Sequence, residues 1–187
     1  TSMVVTKTGD DAFEEILDFA RDICNDPDLY LDQIIYHSER RTGNLDRSLA
    51  YYMESKNMML GDVVTSLDTY FKQCSMMVTA RSLANLGAVL ANGGVKPWDN
   101  KRIIPDEEAR CIKSLMMTTG LYNQSGTYSR LIGVPTKSGV GGGLMSAAPH
   151  KYGIGIFSPA LDKDGNSIAG LDLLRDIVDG LELDIFD

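Results

Sequence analysis

Leu144-Met145-Ser146-Ala147-Ala148-Pro149-His150-Lys151-Tyr152-Gly153-Ile154-Gly155-Ile156-Phe157 is the stretch on which the fold turns. Two short apolar runs, 144–148 and 152–157, are separated by Pro149-His150-Lys151 and read as the antiparallel strands of a buried hairpin. After them, Asp162-Lys163-Asp164-Gly165 is a turn, and Asn166 or Ser167 starts a last helix to about Leu181. Before them the chain is helical in pattern. A helical body, a hairpin and a terminal helix make one α+β unit, without repeats or low-complexity linkers. Two strands are a poor sheet with unpaired edges, so further strands are expected from residues outside this sequence or from another chain.

Upstream, Phe13, Ile16, Leu17, Ala20 and Ile23 recur at helical steps, which predicts a helix over Asp10–Asn25, capped by Asp10 or Asp11 and stopped by Asp26-Pro27. Further helices are expected over Leu31–Arg40, Leu45–Lys56 with Asn44 as cap, Asp62–Cys74, Thr79–Leu90 closed by Asn92-Gly93-Gly94, and Pro105 to about Met117. The Met pairs 58–59, 76–77 and 116–117 read as core filler.

Composition narrows the function classes. The chain has 187 residues, 43% hydrophobic and 24% charged, which are ordinary globular values. Eighteen basic against 26 acidic residues leave a net charge of −8, which argues against nucleic acid as a partner. No apolar run approaches the ~20 residues of a membrane span, and Thr1–Asp10 lacks the basic head and apolar core of a signal peptide. Three cysteines, Cys24, Cys74 and Cys111, are an odd number, and two of them lie inside helical patterns, which predicts buried thiols in a reducing compartment. Neither Cys nor His has metal-ligand spacing, so no metal is expected.

The most informative segment for chemistry is Lys137-Ser138-Gly139-Val140-Gly141-Gly142-Gly143, just ahead of a predicted strand. Glycine-dense backbone lets N–H groups approach an anion or the oxyanion of acyl transfer. Lys-Ser-Gly at a strand edge also occurs in penicillin-recognising serine enzymes. A flexible turn with a surface lysine is the plainer alternative. For Tyr122, Tyr70 and Ser38-Glu39-Arg40-Arg41 the plainer readings are packing tyrosines and a solvated helix end.

Taken in order, Ser38-Glu39-Arg40, Tyr70-Phe71-Lys72-Gln73-Cys74-Ser75, Leu90-Ala91-Asn92-Gly93-Gly94 and Gly120-Leu121-Tyr122-Asn123-Gln124-Ser125-Gly126 resemble the serine-dependent glutaminases. So do Gly133-Val134-Pro135-Thr136-Lys137-Ser138-Gly139-Val140-Gly141-Gly142-Gly143, the run from Gly153 to Asp162, and Gly165-Asn166-Ser167. That family shares its fold with the β-lactamases and penicillin-binding proteins. The resemblance covers essentially the whole chain and implies a β-lactamase/transpeptidase-like α+β fold and hydrolysis of L-glutamine to L-glutamate and ammonia. It further implies no cofactor, a cytoplasmic homo-oligomer, and no membrane partner.

The family's nucleophile is a serine in a Ser-x-x-Lys motif. No such motif here sits where the family has it, and Thr1-Ser2 looks like the residues just after the family's Asn-Ala-Gly-Ala stretch. The expectation is therefore that residues 1–187 are the C-terminal portion of a single glutaminase domain, inactive alone. By resemblance, Glu39 meets the substrate α-ammonium, Tyr70 contacts substrate near the serine and helps proton transfer, and Tyr122 does acid/base work at the leaving amide. Val140 offers a backbone N–H to the substrate carbonyl, and Lys137 supplies a nearby positive charge. Asp46 stands where the family has asparagine, at the α-carboxylate contact. Two rival readings stay open: a non-catalytic glutamine-binding or interaction protein, and a related serine amidase or penicillin-recognising hydrolase.

Overall fold

The computed structural model describes all of residues 1–187. The chain falls into two compact units. The first comprises residues 1–22 and 26–78, the second residues 23–25 and 79–187.

The first unit is built from α1 (Ser2–Thr8), most of α2 (Ala12–Cys24), α3 (Gln33–Thr42), α4 (Asn44–Ser55) and α5 (Val63–Cys74). Phe13 and Leu17 of α2 are buried, as their spacing requires, together with Tyr36, Ala50, Val63 and Phe71. Side-chain oxygens cap two of these helices: Asp32 accepts from the Ile35 N–H and Asp62 from the Thr65 N–H. Asn44 does not cap α4. Helix α3 runs to Thr42, so only Gly43 separates the two helices and Asn44 is already helical. Asp10 and Asp11 lie in a short 3₁₀ turn, Gly9–Asp11. Two-residue strands β1 (Tyr30–Leu31) and β2 (Met76–Met77) pair antiparallel.

The second unit holds α6 (Ala80–Ala91), α7 (Asp106–Thr119), α8 (Ser125–Ile132) and α9 (Ile168–Leu181) around one sheet. The expected hairpin is β4 (Gly143–Ala148) and β5 (Tyr152–Phe157), in antiparallel register with Leu144 opposite Ile156 and Ser146 opposite Ile154. A third strand, β3 (Thr136–Ser138), pairs with β4, Thr136 facing Ser146. One further strand thus comes from within the sequence, at the Lys-Ser-Gly segment. Three residues are too short to show an alternation, which is why β3 escaped the pattern.

Alternation sorts the sheet into two faces. Leu144, Ala148 and Ile156 join Leu171, Leu174 and Val178 of α9 and Ile132 of α8 in one core. Met145 and Ala147 join Leu90 and Ala91 of α6 and Ala109 and Met116 of α7 in another. Strand β4 is thus buried on both faces, which explains an apolar run with no polar alternation. Strand β5 reads Gly153-Ile154-Gly155-Ile156 for a packing reason. A Cβ at Gly153 would lie 2.0 Å from the Ala88 nitrogen and one at Gly155 1.9 Å from the Ala80 oxygen, so α6 rests directly on the strand backbone. Thr79 and Ser82 form a reciprocal capping box at the start of α6, and Ser167 caps α9.

Some burial expectations fail. Only Cys24 is buried; Cys74 and Cys111 are exposed. Met116 is core, but Met58, on a connecting segment, and Met77, in the two-residue strand β2, are exposed. No helix is long and apolar enough to cross a membrane.

Candidate active-site residues

In the first unit the expected residues come from three successive helices: Glu39 from α3, Asp46 from α4 and Tyr70 from α5. Helices α3 and α5 are tied at Asp68, which accepts the Tyr36 O–H and pairs with Lys72 at 2.9 Å and Arg40 at 3.8 Å. Partial burial acts to raise the Asp68 carboxyl, but the Tyr36 and Lys72 donors outweigh it and hold it below the usual carboxylate range. This cluster sits two residues from Tyr70 along α5 and, through Arg40, next to Glu39 along α3. It therefore sets how the two helices carrying those residues meet.

Asp46 and Tyr70 line one cavity of about 370 Å³, with Leu49, Ala50, Ser66 and Leu67. That volume lies in the range of small-molecule sites. Tyr70 is 40% exposed, so it is not a packing residue. Its O–H donates to the sulfur of Cys74, one helical turn on. Cys74 is the main reason its phenol is raised well above 10, followed by burial and the carboxylates of Asp46 and Glu39. Cys74 is itself raised, by desolvation and by Glu39 and Asp46, against the opposing Tyr70 hydrogen bond. The three predicted residues thus share one electrostatic neighbourhood, and it is acidic. Such a neighbourhood favours a cation, as an α-ammonium would be.

Two residues in this unit were passed over in the sequence. Ser66 has a buried hydroxyl with no partner, on the wall of the cavity. Cys74 modulates Tyr70. The i,i+4 spacing of Tyr70 and Cys74 was readable; nothing in the sequence singled out Ser66.

In the second unit Tyr122, Lys137 and Val140 come together. Tyr122 opens a 3₁₀ turn, Tyr122–Gln124, with φ +52°. A left-handed backbone costs a non-glycine residue ~1–2 kcal/mol, so its surroundings must hold it. Ser125 Oγ does part of this, accepting from the Leu121 N–H at 3.0 Å and donating to the Tyr122 carbonyl at 2.8 Å. The Tyr122 ring is 38% exposed. Its O–H reaches the Ser138 carbonyl at 3.4 Å, and Lys137 Nζ lies 4.7 Å from the ring centre while donating to the same carbonyl. Desolvation pushes the Lys137 ammonium below its ordinary value.

Val140 sits in the Gly139–Gly142 turn between β3 and β4, closed by the Gly142 N–H to Gly139 carbonyl bond at 2.9 Å. Its side chain is 68% exposed. Gly165, at φ +96°, faces both neighbours. A Cβ there would lie 3.2 Å from Val140 Cγ1 and 3.5 Å from the Tyr122 ring. No group of three or more His, Cys, Asp or Glu is arranged to hold a metal ion.

Comparison with known proteins gives this arrangement a family. A family model described as glutaminase matches residues 1–186. The chain is 56% identical to glutaminase 1 of Clostridium perfringens over 99% of its own length and 60% of the relative's. It is 47% identical to glutaminase 2 of the same organism, over 100% and 61%. The chain therefore spans about three-fifths of the curated relatives it matches. Among solved structures, the covalent complex between the Bacillus subtilis glutaminase YbgJ and 5-oxo-L-norleucine aligns with a TM-score of 0.89 at 36% identity, covering 94% of this chain and 62% of that one. The structure of Mglu in its glutamate form aligns with a TM-score of 0.89 at 32% identity, covering 94% and 40%. The α+β, β-lactamase-like fold expected from the sequence is borne out by these neighbours. With the family model matching nearly every residue, the chain belongs to the glutaminase family.

Proposed function

We propose that the protein of which these residues form a single glutaminase domain's C-terminal portion hydrolyses L-glutamine to L-glutamate and ammonia. The nucleophile is a serine in a segment outside residues 1–187. Its oxygen attacks the side-chain amide carbon of glutamine. The amide nitrogen takes a proton and leaves as ammonia, and water then hydrolyses the serine ester to release glutamate. Tyr122 passes the proton at the leaving nitrogen, and Lys137 stabilises the phenol's negative charge as that proton moves. The Val140 N–H donates to the carbonyl oxygen as it becomes an oxyanion. Glu39 holds the α-ammonium, Tyr70 contacts substrate beside the serine, and Asp46 lies toward the α-carboxylate. Acting as a cytoplasmic homo-oligomer, the enzyme needs neither metal nor organic cofactor.

The observation that carries this reading is the meeting of an exposed tyrosine, a desolvated lysine and a glycine-rich turn within one unit. A packing role explains none of the three. Asp46 favours a second reading, a non-catalytic glutamine-binding or interaction protein, because it sets a carboxylate, in the cavity it shares with Tyr70, where the family has an asparagine. One ammonia-release assay separates the two. The full-length protein should release ammonia from glutamine and the 187-residue chain should not. Glutamine binding without ammonia by the full-length protein would leave only the second reading. Turnover by the 187-residue chain at the full-length rate would place the nucleophile within it.

A further inference from the structure

Tyr122 is bracketed by bonds to a turn some forty residues further along the chain. After it, Gln124 Nε2 donates to Asp162 Oδ2 at 3.0 Å and to Asp164 Oδ2 at 2.5 Å, and Asn123 Nδ2 approaches Asp164 Oδ1 at 3.5 Å. Before it, the Leu121 carbonyl accepts from Asn166 Nδ2 at 3.3 Å, where Asn166 is fully buried. A primary amide carries two hydrogens, and Gln124 gives one to each carboxylate. Those carboxylates would repel one another without a donor between them.

The turn is stiff in its own right. Asp162 Oδ1 accepts the N–H groups of Asp164 at 2.8 Å and Asn166 at 2.9 Å. These donors, the Asn166 N–H first, hold the Asp162 carboxyl below its usual range, so it stays an acceptor at neutral pH. Gly165 completes the arrangement by presenting bare backbone to the Tyr122 ring. A surface contact made only for stability would not converge from both sides on one positive-φ residue.

We propose that Gln124 is a positioning residue, and that its latch onto Asp162 and Asp164 places the Tyr122 phenol where it meets substrate. The inference rests on the reading of Tyr122 as the acid/base group. Gln124 touches neither substrate nor reacting atoms; it acts through the backbone that carries Tyr122.

The test uses the full-length protein labelled with 3-fluorotyrosine, in which the resonance lost on Tyr122→Phe belongs to Tyr122. In Gln124→Ala that resonance should shift or broaden while the others hold. kcat should fall about tenfold, within the range that misplacing a catalytic group costs, with KM for glutamine within about twofold. Added to Tyr122→Phe, the same change should cost nothing further. Gln124→Glu, which sets a third carboxylate against the pair, should move the resonance the same way with a larger kcat loss. An unmoved Tyr122 resonance in both variants overturns the proposal whatever the kinetics. Where Tyr122→Phe does lower kcat, a moved resonance with wild-type kcat in Gln124→Ala, or equal losses with and without the Tyr122 hydroxyl, overturns it too. If Tyr122→Phe itself keeps wild-type kcat, the acid/base reading falls, and the resonance still decides whether Gln124 places the ring.

Discussion

Replacing Lys137 by methionine in the full-length protein removes one charge and keeps most of the side chain's reach. In the structure Nζ lies 4.7 Å from the centre of the Tyr122 ring. Taking ~5 Å between the ammonium and a developing phenolate, and an effective dielectric of ~20, the two unit charges attract by ~3 kcal/mol. If about half a charge has developed at the transition state, the loss is ~1.6 kcal/mol, or ~15-fold in kcat. The cation–π term, ~0.5–1 kcal/mol, acts on the neutral ring before and during reaction alike and so does not enter kcat. The assay is ammonia release against glutamine concentration over a range of pH. Because desolvation lowers the Lys137 pKa, wild-type kcat should fall on the alkaline side as the cation is lost, and Lys137→Met should lack that limb. Stability moves the other way. Between the lowered folded value and the ordinary lysine value the unfolded chain holds more protons, so folding gains as pH rises. Methionine should therefore cost less than about 1 kcal/mol of stability at neutral pH. A kcat within about twofold of wild type, with the alkaline limb intact, would refute the reasoning.

Two further outcomes are expected. Asp46→Asn in the full-length protein should tighten glutamine binding by roughly 1–3 kcal/mol, the scale of a mismatched buried polar contact. Weaker binding measured by KM or Kd throughout the neutral range would show that the carboxylate is an adaptation to another ligand. Leu174→Ala, at a fully buried position of α9 packed among Leu144, Ile156 and Val178, should cost about 2–5 kcal/mol in urea unfolding. A loss below about 1 kcal/mol would mean that the core beneath β4 closes over the cavity.

Features that depend on near neighbours in the chain were readable from residue order alone. Helical periodicity located the helices over 12–24, 33–42, 44–55, 63–74, 80–91, 106–119 and 168–181, and the Thr79 and Ser167 caps are local hydrogen bonds spelled out by residue type. The hairpin was legible because β4 and β5 are adjacent and six residues long. The candidate residues were legible only through family-like blocks of text: no periodicity distinguishes Tyr122 from a packing tyrosine.

Tertiary structure decided the rest, because the relevant energies come from residues far apart in sequence. Strand β3 exists because β4 offers it a partner, not because three residues prefer extended backbone. Helix α8 closes the core against α9, which the glycine-rich text around it concealed. The exposure of Cys74 depends on how α5 is turned against its neighbours. Most plainly, Tyr122 holds its left-handed backbone because Gln124, Asn166 and Gly165 meet around it across some forty residues. Local preference opposes that conformation, and only long-range bonds and contacts make it the stable one.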